Sequence, residues 1–364
     1  MINCVYIHIP FCEKKCNYCA FCSYSALGAK EKYLNALKKE IKFHYKNEIL
    51  KTIYFGGGTP SLLESEEIKE ILSLLNYNSN TQITIECNPN SLNNKKIDEY
   101  KNLGINRFSI GIQSFNDEEL RLLGRLHNTQ KIYETIDLLE ENNIENYSID
   151  LMYGIPNQNI KNWENNLDKA IILRPKHISL YGLKIEEGTY FYKYPPKNIA
   201  TLDEQADMYE LAIEKLKKNY IHYEFSNFAT SEKYFSKHNL AYWNREEYYG
   251  FGLSASGFIN NKRYTNTFNF SQYIKNPTEK EYEILTIKNA IEEEIFLGLR
   301  LIEGINFNLI NTKYDIDIIK KYGNIFEKYI SNKLMEKTEK GVRLTQKGIL
   351  LSNEILCEFI DVWL

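Results

Sequence analysis

Apolar positions in the first half of the chain fall into short runs separated by stripes of helical period. Runs at 4–9, 52–55, 82–87, 107–112, 147–152 and 177–183 have the length and the β-branched and aromatic content of strands. Each reads as mostly apolar on both faces, the pattern of parallel strands covered on both sides. Between them, Tyr33, Leu37 and Ile41 recur at helical spacing, as do Ile132, Ile136 and Leu139. Asn116 followed by Glu119 predicts a capping box that opens a helix at Asp117. Repeated strand–helix units imply βα crossovers, and therefore an α/β fold: an open doubly wound sheet or a full or partial barrel.

After about residue 185 the rhythm changes. Residues 203–218 read as one amphipathic helix, and 223–264 as an irregular, Tyr-rich stretch. From Ala290 the pattern is mainly helical. Residues 325–335, 342–344 and 346–356 suggest a small helix–wing–helix module. These shifts divide the chain into a core at 1–200, an extension at 201–285 and a C-terminal module at 286–364.

Composition narrows the classes. With 364 residues, 43% hydrophobic and 26% charged, the chain resembles an ordinary globular protein. A formal charge of −3 gives no electrostatic footprint for nucleic acid or an anionic membrane, so no nucleic-acid partner and at most peripheral membrane contact are expected. The same balance argues against reading the C-terminal module as a DNA reader. Residues 1–10 lack the basic start and cleavage site of a signal peptide, and no stretch has the apolar length of a membrane span. Seven cysteines, three of them between positions 12 and 19, fit metal or redox chemistry in a reducing compartment better than a disulfide framework. A cytoplasmic location is expected.

The chemistry concentrates directly after the first predicted strand, in Cys12-Glu-Lys-Lys-Cys16-Asn-Tyr-Cys19. Thiolates suit iron–sulfur clusters and zinc. Three ligands in one compact run would leave one iron of a cubane open. The plainer alternative is structural zinc, which wants a fourth ligand; Cys22 is close enough in sequence to supply one, whereas Cys87 and Cys357 are isolated. Further along, Gly56-Gly-Gly-Thr-Pro60 follows the second strand and could be an ordinary tight turn. Glu86 ends the third strand, Gln113 the fourth, and Asp150 lies in the fifth; strand ends form the active-site rim of a barrel.

CxxxCxxC with an aromatic before its last Cys resembles the radical S-adenosylmethionine superfamily. The wider run Tyr6-Ile-His-Ile-Pro-Phe-Cys12 resembles the HemN/HemW family within it. That resemblance implies an incomplete (βα) radical-SAM barrel with a small C-terminal helical, winged-helix-like module. It implies a 4Fe–4S cluster on Cys12, Cys16 and Cys19, with S-adenosylmethionine chelating the open iron and yielding a 5′-deoxyadenosyl radical on reduction. It also implies that Gly57, Gly58 and Thr59 hold the methionyl amino end, and that Glu86, Gln113, Arg125 and Asp150 contact the cofactor. Tyr6 and Tyr18 would border the cluster, and Cys22 is expected to be inert.

Two functions occur on this scaffold: oxygen-independent decarboxylation of coproporphyrinogen III, and heme chaperoning. Phe21 stands where the oxidase pattern has a further Cys, and only eleven residues precede Cys12. His238-Asn-Leu-Ala-Tyr-Trp243 resembles the HNxxYW motif of the heme-carrying branch. On that resemblance the chain is expected to be a heme chaperone, with heme as cargo and His238 as a heme ligand. Its expected partners are heme-accepting respiratory proteins and a flavodoxin-like electron donor. The competing possibility for His238 is a histidine buried beside aromatics.

Overall fold

The computed structural model describes residues 2–360. Six strands arise where the apolar runs predict them: β1 (Cys4–Ile9), β2 (Thr52–Gly57), β3 (Gln82–Cys87), β4 (Arg107–Gln113), β5 (Tyr147–Tyr153) and β6 (His177–Gly182). They pair in chain order and in parallel.

The irregular reading of 223–264 is corrected. This stretch supplies β7 (Ile221–Glu224), β8 (Asn227–Ala229), β9 (Tyr248–Phe251), β10 (Ser256–Ile259) and most of β11 (Lys262–Thr265), followed by β12 (Tyr282–Ile284). The twelve strands form one sheet in the order β12-β11-β10-β9-β1-β2-β3-β4-β5-β6-β8-β7, and its two edges do not pair with each other. β9 joins β1 in parallel, whereas β8 and β10 begin antiparallel extensions at opposite ends. Short strands rich in tyrosine carry little periodic signal, so their pairing was not visible in the pattern.

The expectation of strands apolar on both faces is also corrected. One face carries Val5, Ile7, Ile9, Ile53, Phe55, Ile83, Ile85, Phe108, Ile110, Ile149, Leu151, Ile178 and Leu180, all inside the main core under the covering helices. The alternate positions are polar: Tyr6, His8, Tyr54, Glu86, Arg107, Ser109, Asp150, His177 and Ser179. One side of the curved sheet packs, and the other is an interior lined with hydrogen-bonding groups.

Helices Lys30–His44 and Thr129–Glu141 bury the predicted stripes. At Asp117–Leu122, Asn116 caps the helix by accepting from the Glu118 and Glu119 amides. The reciprocal half of the expected box is missing. The Glu119 carboxylate turns inward to Ser114 Oγ (2.5 Å), Gln158 Nε2 (3.0 Å) and Asn166 Nδ2 (3.1 Å). The C-terminal unit has its own core around Ile291, Ile295, Ile318, Tyr322 and Phe326, and a three-stranded sheet. Its long helix spans Ile318–Ser331, and Met335 already belongs to the next strand, Met335–Lys337.

One buried ion pair ties the β9–β12 edge to the first helix. Glu40 receives Lys280 Nζ (2.6 Å), Tyr273 Oη (2.6 Å), Asn266 Nδ2 (2.7 Å) and the Gly252 amide (2.8 Å). Both charged side chains are buried, and burial lowers the Lys280 pKa. Lys280→Met leaves an uncompensated carboxylate and is expected to cost about 3–5 kcal/mol, measured by denaturant unfolding.

Candidate cofactor site

The C-terminal ends of β1 to β4 converge on the cysteine loop. The Gly58 amide donates to Ile9 O (2.8 Å) and the Thr59 amide to Phe11 O (2.7 Å), so the segment after β2 is strapped to the start of the loop. A Cβ on Gly58 would stand 2.7 Å from Phe11 O and 2.9 Å from Ile9 O, so only glycine permits this approach. Gly57 has a φ of +115°, and a Cβ there would strike the His8 ring. The run at 56–58 is therefore a seat for the loop as well as a turn.

A hydrogen-bond chain links two of the cysteines. Thr59 Oγ1 lies 3.6 Å from Cys12 Sγ and accepts from Asn88 Nδ2 (2.9 Å). Asn88 Oδ1 accepts from Arg125 Nη2 (2.6 Å), and Arg125 Nη1 points at Cys16 Sγ (3.5 Å). Arg125 also donates to Gly111 O (2.5 Å), where a Cβ would meet Gln113 Nε2 at 3.0 Å and Arg125 Nη2 at 3.5 Å. Gln113 itself has a φ of +67°, rare for a residue with a side chain, at the bulge where β4 stops pairing regularly with β5. Tyr18 packs against Leu123, Met152, Leu183 and Phe191.

Glu86 receives the Tyr54 hydroxyl (2.8 Å) and the Gly57 amide (3.0 Å). Burial pushes its carboxyl up to about 7, opposed by the Tyr54 bond and reinforced by the charge of Asp150. Asp150 lies on the same interior face, within 3.3 Å of Ser109 Oγ, and burial raises its pKa also. Tyr6 Oη is hydrogen-bonded to His8 Nδ1 (3.0 Å), and His8 Nε2 to Cys22 O (2.8 Å), which fixes the far side of the loop.

His238 lies elsewhere. It belongs to helix Lys237–Trp243, against the N-terminal ends of the strands. Nδ1 is hydrogen-bonded to Thr52 Oγ1 (2.7 Å) and Nε2 to Tyr242 Oη (2.8 Å), and the ring stacks on Tyr54 at 5.1 Å. Thr52 opens β2 and Gly57 ends it, so the two ends of that strand are roughly 16 Å apart. Burial drives the His238 pKa down to about 3. Both nitrogens are engaged and the ring is fully buried, so it offers no lone pair to an iron in this arrangement. The HNxxYW segment covers the N-terminal ends of the central strands, helped by Gln82, which bonds Phe235 O (3.0 Å) and the Lys237 amide (2.9 Å).

Sequence reasoning did not single out Asn88, Tyr54 or the serines around Asp150. Asn88 was visible two residues beyond Glu86, and Ser109, Ser148 and Ser179 occupy alternate, interior-facing positions.

The donor set fits an iron–sulfur cluster. Cys12, Cys16 and Cys19 are free, half-buried thiols, and burial raises the pKa of Cys12 and Cys19. The Thr59 hydroxyl and the Arg125 guanidinium supply donors that stabilise thiolate sulfur. Among the described residues no three His, Cys, Asp or Glu side chains close on a single metal ion. The thiols of a cubane attach to different irons and need no such convergence.

Comparison with known proteins agrees with this donor set. Residues 6–170 match the radical SAM superfamily, and residues 285–351 match the HemN C-terminal domain. The heme chaperone HemW of Lactococcus lactis subsp. lactis (strain IL1403) is 35% identical over 370 residues, covering 98% of this chain and 97% of its own. The chain belongs to the HemW family. HemW of Bacillus subtilis (strain 168) is likewise 35% identical, covering 98% of both chains. The solved structure of coproporphyrinogen III oxidase (HemN) from Escherichia coli, described as a radical SAM enzyme, aligns with a TM-score of 0.86 at 23% identity. It covers 100% of this chain and 91% of that one, and shows that the two share a fold. The expected α/β radical-SAM architecture is therefore present, as a large mixed sheet that stays open.

Substitution separates ligands from bystanders. Cys16→Ser is expected to abolish the visible absorbance of an anaerobically reconstituted cluster and lower bound iron by more than half. Cys22→Ser is expected to leave both unchanged.

Proposed function

We propose that this protein is a heme chaperone that carries a 4Fe–4S cluster and S-adenosylmethionine and passes heme to acceptor hemoproteins. The reading rests on near full-length similarity to HemW heme chaperones. Membership of the radical SAM superfamily implies the cluster and the nucleoside cofactor. Cys12, Cys16 and Cys19 would hold the cluster, with the Thr59 hydroxyl and the Arg125 guanidinium placed to donate to Cys12 and Cys16 sulfur. Gly57, Gly58 and Thr59 would hold the methionyl amino end of S-adenosylmethionine, and Glu86, a carboxylate aimed by Tyr54 and the Gly57 amide, would contact the cofactor beside them. Gln113, Arg125 and Asp150 complete the cofactor wall, while Tyr6 and Tyr18 shield the loop. When bound, the cluster and cofactor supply one-electron reductive chemistry; the chain's own residues exclude water and orient the groups.

Acceptors are respiratory hemoproteins, and a flavodoxin-like protein supplies electrons to the cluster. No helix among the described residues is long and apolar enough to cross a membrane. The location we propose is cytoplasmic.

An ionised Glu86 carboxylate accepts more strongly from the N–H of the cofactor's amino group than the neutral carboxyl does. Glu86 is neutral below about pH 7 in the cofactor-free protein, so affinity for S-adenosylmethionine is expected to rise between about pH 6 and pH 8. Glu86→Gln should flatten that profile and weaken binding at the upper pH, as read by anaerobic equilibrium dialysis.

One anaerobic preparation decides between chaperone and oxidase. Heme titration followed by the Soret band is expected to saturate at one equivalent, and coproporphyrinogen decarboxylation with reductant to stay at background. Turnover without heme affinity would sink the chaperone reading.

A further inference from the structure

The sealed position of His238 leaves open where a heme would dock, and the segment after β6 answers this. Helix Tyr190–Lys193 is capped by Thr189 and tethered to the cysteine loop. The Phe191 amide donates to Asn17 O (2.9 Å), between Cys16 and Cys19, and the Phe191 ring is buried in the cluster that includes Tyr18. With Phe191 turned inward, Tyr190, Tyr192 and Tyr194 are left more than half exposed. The Tyr190 and Tyr194 rings lie 4.9 Å apart, and Lys193 Nζ sits 5.3 Å from the Tyr194 ring centre. Pro195 and Pro196 follow and restrict the backbone beyond the platform.

Surface tyrosines seldom group in this way without a partner. Two cations of the same segment, Lys193 and Lys197, help to identify that partner. Lys184 is paired with Glu186 (2.8 Å), whereas Lys193 and Lys197 have no carboxylate partner among the described residues. The Tyr190 and Tyr194 rings are inclined at 46°, with the Lys193 ammonium over Tyr194; an exposed ring face beside an ammonium suits an aromatic dianion, one ring holding the macrocycle and the lysines meeting its carboxylates.

We propose that heme docks on the platform of Tyr190, Tyr192 and Tyr194, beside the cluster loop, with Lys193 and Lys197 engaging its propionates. This inference rests on the heme-chaperone reading and adds the site. Because Asn17 lies within the cysteine loop, the platform is held in place by the same segment that holds the cluster.

The test is a hemin titration of the anaerobic, cluster-loaded full chain, read by Soret absorbance and tryptophan quenching. The Tyr190→Ala/Tyr194→Ala and Lys193→Glu/Lys197→Glu variants are compared with the unaltered protein and with His238→Ala. Both double variants are expected to raise the heme Kd at least tenfold with cluster absorbance unchanged. The lysine pair, wholly on the surface, keeps the test valid should the tyrosine pair disturb the loop. No heme binding by the unaltered protein would overturn the chaperone reading itself. Saturable binding that both double variants leave within twofold would overturn the platform alone, as would loss confined to His238→Ala.

Discussion

The fold's chemistry depends on one backbone clasp, in which the amides of Gly58 and Thr59 donate to the carbonyls of Ile9 and Phe11. It joins the end of β2 to the start of the cysteine loop where a side chain on residue 58 would not fit. With the loop seated, Cys12 lies within reach of the Thr59 hydroxyl and Cys16 within reach of Arg125, and Asn88 bridges those two donors. Thiolates beside such donors are better cluster ligands than thiolates left to solvent. Two of the three glycines at 56–58 are required here: Gly57 has a positive φ and Gly58 needs the space beside the Ile9 and Phe11 carbonyls.

A second consequence is the separation of the parallel sheet into two ends. The upper end is built from short polar bonds around the loop. The lower end is packed shut by helix Lys237–Trp243, with Thr52, Tyr54 and Tyr242 around His238. Conservation of chemistry is expected where strands end, and of packing where they begin. The HNxxYW segment thus has a structural task that its sequence does not reveal, since a histidine looks the same as a ligand and as a hydrogen-bonded wedge.

The parallel core was legible in the sequence because it obeys local rules: β1 and β3 begin and end where the short apolar runs and their flanking turn residues place them. The cysteine run was legible by its spacing, whereas Gly58, Thr59 and Arg125 were singled out only by resemblance to a family. What remained hidden is non-local. β9 lies beside β1 although more than two hundred residues separate them, and no periodicity records that pairing. The interior polarity was masked for a different reason: tyrosine and cysteine read as apolar in a run, yet Tyr6 and Tyr54 present hydroxyls to His8 and Glu86. Glu119 shows the same limit on a smaller scale, its spacing fitting a cap while its carboxylate serves a buried network with Asn166.

That interior polarity bears on where a tetrapyrrole can sit. Arg107 Nε and Thr84 Oγ1, on neighbouring strands in register, have no hydrogen-bond partner among the described residues. Glu86 and Asp150 face the same space with carboxyls that burial makes costly to ionise. Such a lining suits a polar cofactor, whose amino, carboxylate and hydroxyl groups can satisfy these atoms, and penalises a broad apolar macrocycle that would strip them of solvent. Cofactor inside and heme outside is then the division the lining favours. The segment anchored by Phe191 is joined to the cluster loop through Asn17, and Tyr190, Tyr192 and Tyr194 stand exposed on it.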